Sequence, residues 1–397
     1  MYIDLRSNFR LILKLVTFVN YNCKHMVVYI CTLILKMTDK RYFPPELLNA
    51  FLTGLKPTVK QTIIGNSING LPIHQLQLGS GTIKVLMWSQ MHGNETTTTK
   101  ALVDFIPWLL EANQASLLTT FSFFIIPQLN PDGAKVYTRE NANGIDLNRD
   151  AQKQTEPESK ALSTQYRKIQ PDFALNLHGQ RTIYGAGKQG NAASLSFLAP
   201  AADNERSLTP AREHAMKAIA AIYRALEDDL PQGIGRYDDS FNPNCVGDAF
   251  TQAGTPTILF EAGHYPNDYQ REISRKFIYK SFKALFLHLY HTDKETEVTD
   301  YFRIPENTKN FVDIILSLVT IEDQGNLYKN QQLAVQYREE LKEGVIEFVP
   351  AYHCFGSPLT LKAHRYIEAT NLNLSFTFLQ DELIKNPEFY KLFSIIN

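Results

Sequence analysis

His92 and Glu95 stand three residues apart in Met91-His92-Gly93-Asn94-Glu95, directly after the apolar run 83–88. A histidine leaving a strand end and a glutamate opening the next helix can turn toward one ion, offering an imidazole nitrogen and a carboxylate oxygen. A surface histidine beside a glutamate favoured by a helix N-terminus would show the same spacing. His178 closes a second apolar run, 173–177. Two histidines and a glutamate are a documented catalytic zinc set that keeps a fourth position for water. Alone, His178 would read as a hydrogen-bonded core residue; its placement at a strand end equivalent to that of His92 and Glu95 favours the metal.

Glu261 follows a third such run, 257–260. A carboxylate at the rim of a buried strand is costly unless it is paired or functional, and beside a metal it can serve as general base. A salt-bridged structural glutamate is the competing reading. His264, three residues on, is an alternative ligand or a neighbour of the site. The stretch Asn130-Pro131-Asp132-Gly133, then Arg139, then Asn148-Arg149, brings further candidates. Pro-Asp-Gly is a turn signal. A turn does not account for two arginines and an asparagine on one rim; a planar guanidinium suits a carboxylate, and a fixed cation suits a developing oxyanion. Arginines in solvated loops are the plain alternative.

These residues need a frame. Alternation around Asn69-Gly70 over 60–78 predicts a β-hairpin with a two-residue type I′ turn. A strand at 83–88, a helix over 95–113 and buried strands at 121–127, 173–177 and 257–260 follow, with helices around 157–168, 207–229 and 272–290. Strands alternating with helices predict an α/β fold: a mixed, largely parallel twisted sheet flanked by helices, with ligands bound beyond the carboxyl ends of the strands. The polar stretch after Tyr290 reads as a boundary. The expected organisation is a catalytic domain over 37–291 and a smaller C-terminal α+β appendage over 301–397 without identifiable chemistry.

The chain has 397 residues, 44% of them hydrophobic and 20% charged, which excludes wholesale disorder and a polytopic membrane protein. Lys and Arg total 40 against 41 Asp and Glu, so the overall balance offers no basic surface for nucleic acid. The four cysteines, at 23, 31, 245 and 354, have no CxxC spacing and read as reduced thiols. Arg6, Arg10, Lys14, Lys24 and Lys36 interrupt the apolar N-terminal segment, so it holds no run of about 18 uncharged apolar residues. Residues 1–36 are expected to be a non-native extension before a start at Met37, or else a weak membrane anchor. No stable membrane association and a cytoplasmic location are expected, with a membrane-anchored form if that segment is translated.

Taken together, these residues resemble the zinc carboxypeptidase family of metallopeptidases. HGNE at 92–95, NPDG at 130–133, the run R-x-N-x-N-G-x-D-L-N-R at 139–149, LNLHG ending in His178-Gly179, and ILFEAG around Glu261 follow in family order over roughly residues 60–290. The resemblance implies one zinc ion per chain held by His92, Glu95 and His178, with Glu261 deprotonating the attacking water and returning the proton to the leaving amine. It implies that Arg139 polarises the scissile carbonyl, and that Asn148 and Arg149 grip the terminal carboxylate of a peptide substrate. Tyr237 is the candidate for the family's substrate-capping tyrosine, with Tyr265 and Tyr269 also near the rim. Asn94 stands where the digestive enzymes have arginine, which puts their specificity in doubt here. A zinc deacylase of N-acyl amino acids, of the succinylglutamate desuccinylase and aspartoacylase type, is the alternative with the same fold; a peptidase of γ-D-glutamyl-diaminopimelate links in cell-wall peptides is another. The preferred terminal side chain and the oligomeric state are not legible.

Overall fold

The computed structural model describes residues 40–291, 296–369 and 373–376. Its main sheet is built from β1 (Lys60–Asn66), β2 (Pro72–Leu78), β3 (Ile83–Ser89), β4 (Phe121–Ile126), β5 (Phe173–Gly179), β7 (Leu195–Leu198), β8 (Ile234–Arg236) and β9 (Thr257–Ala262), and β6 (Tyr184–Ala186) lies apart from it. The order is β1-β2-β4-β3-β5-β9-β7-β8. The centre is parallel, β4 with β3, β3 with β5 and β5 with β9, and antiparallel pairs flank it. The sheet is thus mixed and largely parallel at its core, as the alternation of strands and helices predicts.

Central strands read as unbroken apolar runs because both faces are covered. On β3, Val85 and Met87 join one core with helices Thr97–Leu109, Pro210–Leu226 and Glu272–Tyr290, while Leu86 and Trp88 join another with helices Pro157–Ile169 and Val246–Gln252. Side chains of period two therefore alternate between two layers. The predicted hairpin forms, but its turn differs. The chain crosses through 67–71, with the Ser67 N–H donating to Leu71 O at 2.8 Å and the Gly70 N–H to Ser67 O at 2.9 Å, and within that loop only Gly70 takes a positive φ, 79°. A type I′ turn needs positive φ at both central residues, so the longer loop replaces it.

Past Tyr290 the chain first continues along the main body. Tyr301 and Ile304 are fully buried in the main core, and β10 (Asn307–Lys309) pairs with β6. Beyond it the appendage, expected as α+β, consists of strands over its described residues. β11 (Phe311–Asp323), β12 (Asn326–Lys342) and β13 (Val345–Gly356) form an antiparallel meander, with β14 (Lys362–Glu368) and β15 (Asn373–Phe376) parallel to β11. Gln324-Gly325 and Glu343-Gly344, all four at positive φ, make the two-residue turns. Residues 377–397 and the N-terminal segment 1–36 lie outside the described residues. No helix among the described residues is long and apolar enough to cross a membrane.

The C-terminal sheet docks on the main body through buried polar contacts. The Arg41 Nε donates to Glu339 Oε2 at 3.2 Å, its Nη1 to Thr97 Oγ1 at 3.0 Å, and the Tyr137 hydroxyl also donates to Glu339. Burial opposes ionisation of Glu339, yet Arg41 and Arg271 hold its carboxyl below the ordinary range. Removing one member of such a pair strands the other, so Arg41→Ala should cost on the order of 3 kcal/mol, read as a shift in calorimetric Tm. An unchanged Tm would show that the sheet is held by its apolar contacts alone.

Candidate metal centre and active site

The three central strands carry the site at their carboxyl ends. β3 delivers the loop to His92 and Glu95, β5 ends on His178-Gly179, and β9 carries Glu261. His178 and Glu261 are register partners on adjacent parallel strands, so topology alone sets the third candidate ligand beside the candidate base. The loop after β3 is braced by the NPDG turn. Gly93 packs so closely on Gly133 that a Cβ would lie 2.0 Å from its carbonyl carbon, and the Asn130 Nδ2 donates to Met91 O at 3.2 Å. Asn130 also caps the short helix Pro131–Val136 by accepting the Gly133 N–H at 2.8 Å. The NPDG stretch is therefore a buttress of the His92 loop.

His92, Glu95 and His178 converge, with one donor atom from each within 4.8 Å of the others. His92 Nδ1 lies 2.8 Å from Glu95 Oε1 and 3.1 Å from His178 Nδ1, and His178 Nδ1 lies 2.8 Å from Glu95 Oε2. His92 Nε2 faces Asp146 Oδ1 at 3.0 Å. Burial opposes ionisation of Asp146, but His92 and Arg139 hold its carboxyl well below the ordinary value, so Nε2 carries the proton. In a neutral His92 the lone pair of Nδ1 then faces the Glu95 carboxylate, with the Arg139 Nη1 3.2 Å away and His178 Nδ1 beside it, an arrangement suited to a cation at its centre. Without a cation the proton fills this role: burial opposes it, but Glu95 and Asp146 raise the pKa of His92. Likewise burial resists ionisation of Glu95, and the two imidazoles hold it far below the ordinary range. Two nitrogens and a carboxylate, buried and convergent, with a carboxylate behind one histidine, fit zinc.

Glu261 also lines this cleft, whose volume is about 690 Å³, and its buried Oε2 has no hydrogen-bond partner. Burial and then the Glu95 charge push its pKa well up, against the pull of Arg139. Arg139 donates to Asp146 Oδ2 through Nε at 3.2 Å and Nη2 at 3.0 Å, while Nη1 reaches Glu95 Oε1 at 3.4 Å. It is thereby held rigidly at the rim of the metal group.

Asn148 and Arg149 sit on the short turn after Asp146. Asn148 Oδ1 accepts the Val246 N–H at 3.0 Å, so Nδ2 is the end that can donate to a ligand. The Arg149 Nη1 donates to Asn148 O at 2.7 Å and to Cys245 Sγ at 3.2 Å, and no carboxylate pairs with it among the described residues. Tyr237 lines the cleft 5.3 Å from the Tyr184 ring, and burial followed by the nearby Glu261 raises its phenol pKa. Tyr265 packs on Phe277 instead, and the Tyr269 hydroxyl donates to Asp313. His264 is buried without contact to the metal group's donor atoms and meets Tyr269 edge to face, with ring centroids 4.6 Å apart.

Other residues of the cleft escaped the reading of the sequence. Asp146 lies inside the quoted R-x-N-x-N-G-x-D-L-N-R run but had no role assigned. Arg41, Arg271, Asp313, Gln336 and Glu339 also line the cleft, and no local pattern marks them.

Comparison with known proteins agrees with this geometry. Residues 47–240 match the family model for zinc carboxypeptidases. Over 196 residues the chain is 26% identical to carboxypeptidase SOL1 of Arabidopsis thaliana, a match covering 44% of this chain and 40% of that protein. The chain thus spans less than half the length of this relative. Among solved structures it resembles a metallo-carboxypeptidase from Burkholderia cenocepacia (TM-score 0.51, 19% identity, 63% of this chain and 70% of that one). It also resembles the carboxypeptidase A of Helicoverpa armigera (TM-score 0.51, 18% identity, 65% of this chain and 76% of that one). At these identities the structural likeness speaks for the fold. The matched sequence and the convergent His92, Glu95 and His178 agree with it: residues 47–240 are similar in sequence to zinc carboxypeptidases, and the three convergent residues lie within that stretch.

Proposed function

We propose that the chain is a zinc-dependent carboxypeptidase that removes the last residue of peptides with a free C-terminus. The observation that carries this reading is the meeting of His92, Glu95 and His178 with Glu261 in one cleft that also holds Arg139, Asn148 and Arg149. His92, Glu95 and His178 hold one zinc ion per chain. Bound there, zinc supplies Lewis-acid stabilisation of the charge that develops on the scissile carbonyl oxygen. Glu261 Oε2 takes the proton of the attacking water and passes it to the departing amine nitrogen. Arg139 stabilises the oxyanion, and its two hydrogen bonds to Asp146 Oδ2 fix its direction. Arg149 and the Asn148 Nδ2 grip the terminal carboxylate, which restricts cleavage to the chain end. Tyr237 closes over the bound residue.

Arg149→Gln tests the clamp. A hydrogen bond to a charged group contributes about 1.5–3 kcal/mol, so kcat/KM should fall roughly 10- to 100-fold, mainly through KM. C-terminally amidated peptides, poor substrates of the unaltered enzyme, should lose much less. Mass spectrometry of products from zinc-loaded protein tests the reading as a whole. Loss of single C-terminal residues, abolished by chelator, supports it; turnover confined to N-acyl amino acids would make the chain a deacylase on the same scaffold.

A further inference from the structure

We infer that the C-terminal sheet supplies a substrate subsite in which Gln336 Oε1 accepts the N–H of the peptide unit upstream of the scissile bond. This deepens the carboxypeptidase reading and rests on it.

Outside the metal group and Glu261, the buried side chains that line the cleft and carry unsatisfied polar atoms include Asn176, Gln336 and His264. Gln336 is 7% exposed and its Oε1 has no partner; His264 is 1% exposed and neither ring nitrogen has one. Buried polar atoms are rarely left unpaired, and such groups on a cleft wall mark where a ligand completes the bonding. The Gln336 amide cannot turn to hide its oxygen. Its Nε2 donates to Thr182 Oγ1 at 2.6 Å and also to Asp313 Oδ2, and a flipped amide would press its oxygen against that carboxylate. Asp313 is itself occupied: Oδ1 accepts from the Tyr269 hydroxyl at 3.1 Å, and Oδ2 accepts from the Thr182 hydroxyl at 3.2 Å and the Tyr337 N–H at 2.7 Å. His264 meets Tyr269 edge to face, which ties it to the same cluster. A neutral imidazole presents one donor and one acceptor. With Gln336 Oε1, the cluster thus complements the C=O and N–H groups of a peptide backbone.

A series of contacts links the carboxylate clamp to the sheet cluster through the metal group. From Arg149 they run through Asn148 to Asp146, to His92, Glu95 and His178, and then from Gly179, whose N–H donates to Glu95 Oε2 at 3.0 Å, along the chain to Thr182 and Asp313. Along these contacts the metal group stands between Arg149 and the sheet cluster, and all three line one cleft. A peptide held by its terminal carboxylate at Arg149, with its scissile carbonyl at the metal group, extends its upstream residues toward Gln336.

The test uses the zinc-loaded full chain and three substrates sharing one terminal residue: an acetyl-amino acid without an upstream peptide unit, an acetyl-dipeptide, and the depsipeptide in which an ester oxygen replaces the upstream N–H. The acetyl-dipeptide should exceed the depsipeptide about tenfold in kcat/KM, the scale of one buried hydrogen bond. Gln336→Met, which keeps the length and removes the acceptor, should shrink that preference to about twofold or less, while Leu327→Ser, on an exposed hairpin tip, should keep it. Should Gln336→Met not fold, His264→Leu replaces it, with the preference for the acetyl-dipeptide over the acetyl-amino acid as readout. Equal turnover of amide and ester by the unaltered enzyme, or a preference that survives loss of the acceptor, overturns the inference, and buried water then satisfies these atoms. Failure to cleave both the acetyl-dipeptide and the depsipeptide, whether or not the acetyl-amino acid is cleaved, would overturn the carboxypeptidase reading itself.

Discussion

Glu261→Gln should lower kcat by about 10³- to 10⁴-fold while zinc stays bound, the upper range for loss of a positioned general base. The substitution is nearly isosteric and keeps the strand-end position on β9 beside His178, so the metal group should persist. What disappears is the only function a glutamine cannot perform, acceptance of a proton from water. The geometry favours this role for Glu261 over one in structure: its Oε2 is buried without a partner, where a structural carboxylate would be paired. Stability should separate from activity. Burial and the Glu95 charge raise the folded-state pKa of Glu261, so in metal-free protein its ionised form costs stability at every pH above the ordinary carboxylate range, and more as pH rises toward the raised value. Removing that charge should leave metal-free Glu261→Gln at least as stable as the parent at pH 7. Single-turnover kinetics, metal analysis and calorimetry on one preparation measure all three. Activity within tenfold of the parent would place the base elsewhere.

His178→Ala should abolish both zinc binding and activity. The imidazole supplies one of three donors; its Nδ1 lies 2.8 Å from Glu95 Oε2 and 3.1 Å from His92 Nδ1, and no other His, Cys, Asp or Glu among the described residues joins that group. Removing only the carboxylate behind a ligand typically costs 10–100-fold in metal affinity. Loss of a ligand itself should exceed this, and zinc content after dialysis against a weak chelator should fall to background. Asp146→Asn, which disturbs both the hydrogen bond behind His92 and the hold on Arg139, should lose zinc affinity in the 10–100-fold range, and added zinc should restore metal content but only part of the activity, whereas His178→Ala should not regain zinc. A His178→Ala protein that retains one zinc per chain would remove His178 from the ligand set.

The two variants divide the site into a proton-handling half and a metal-holding half, and both halves depend on the same architecture. Parallel strands buried on both faces end together, and their ends release polar residues, two after β3 and one each from β5 and β9, into a common space. Strand spacing of roughly 4.8 Å brings neighbouring ends within reach of one ion or one substrate atom. The arginines come from loops, which explains why Arg139 needs two hydrogen bonds to Asp146 to keep its place.

The sequence by itself determined the central sheet and the residues at its rim. An apolar run of strand length followed at once by His or Glu is a local signal, because burial on both faces forces the run to be apolar and the strand end is the first place a polar side chain can stand. That is why His92, Glu95, His178 and Glu261 were legible. The type of turn after β1, the role of Asp146 and the whole C-terminal wall were decided by tertiary structure. Asp313, Gln336 and Glu339 sit in strands where a polar residue reads as solvent-facing, and only the docking of the sheet onto Arg41, Tyr137 and Thr182 buries them. Burial depends on which surfaces meet across hundreds of residues, and no pattern of neighbours along the chain carries that information.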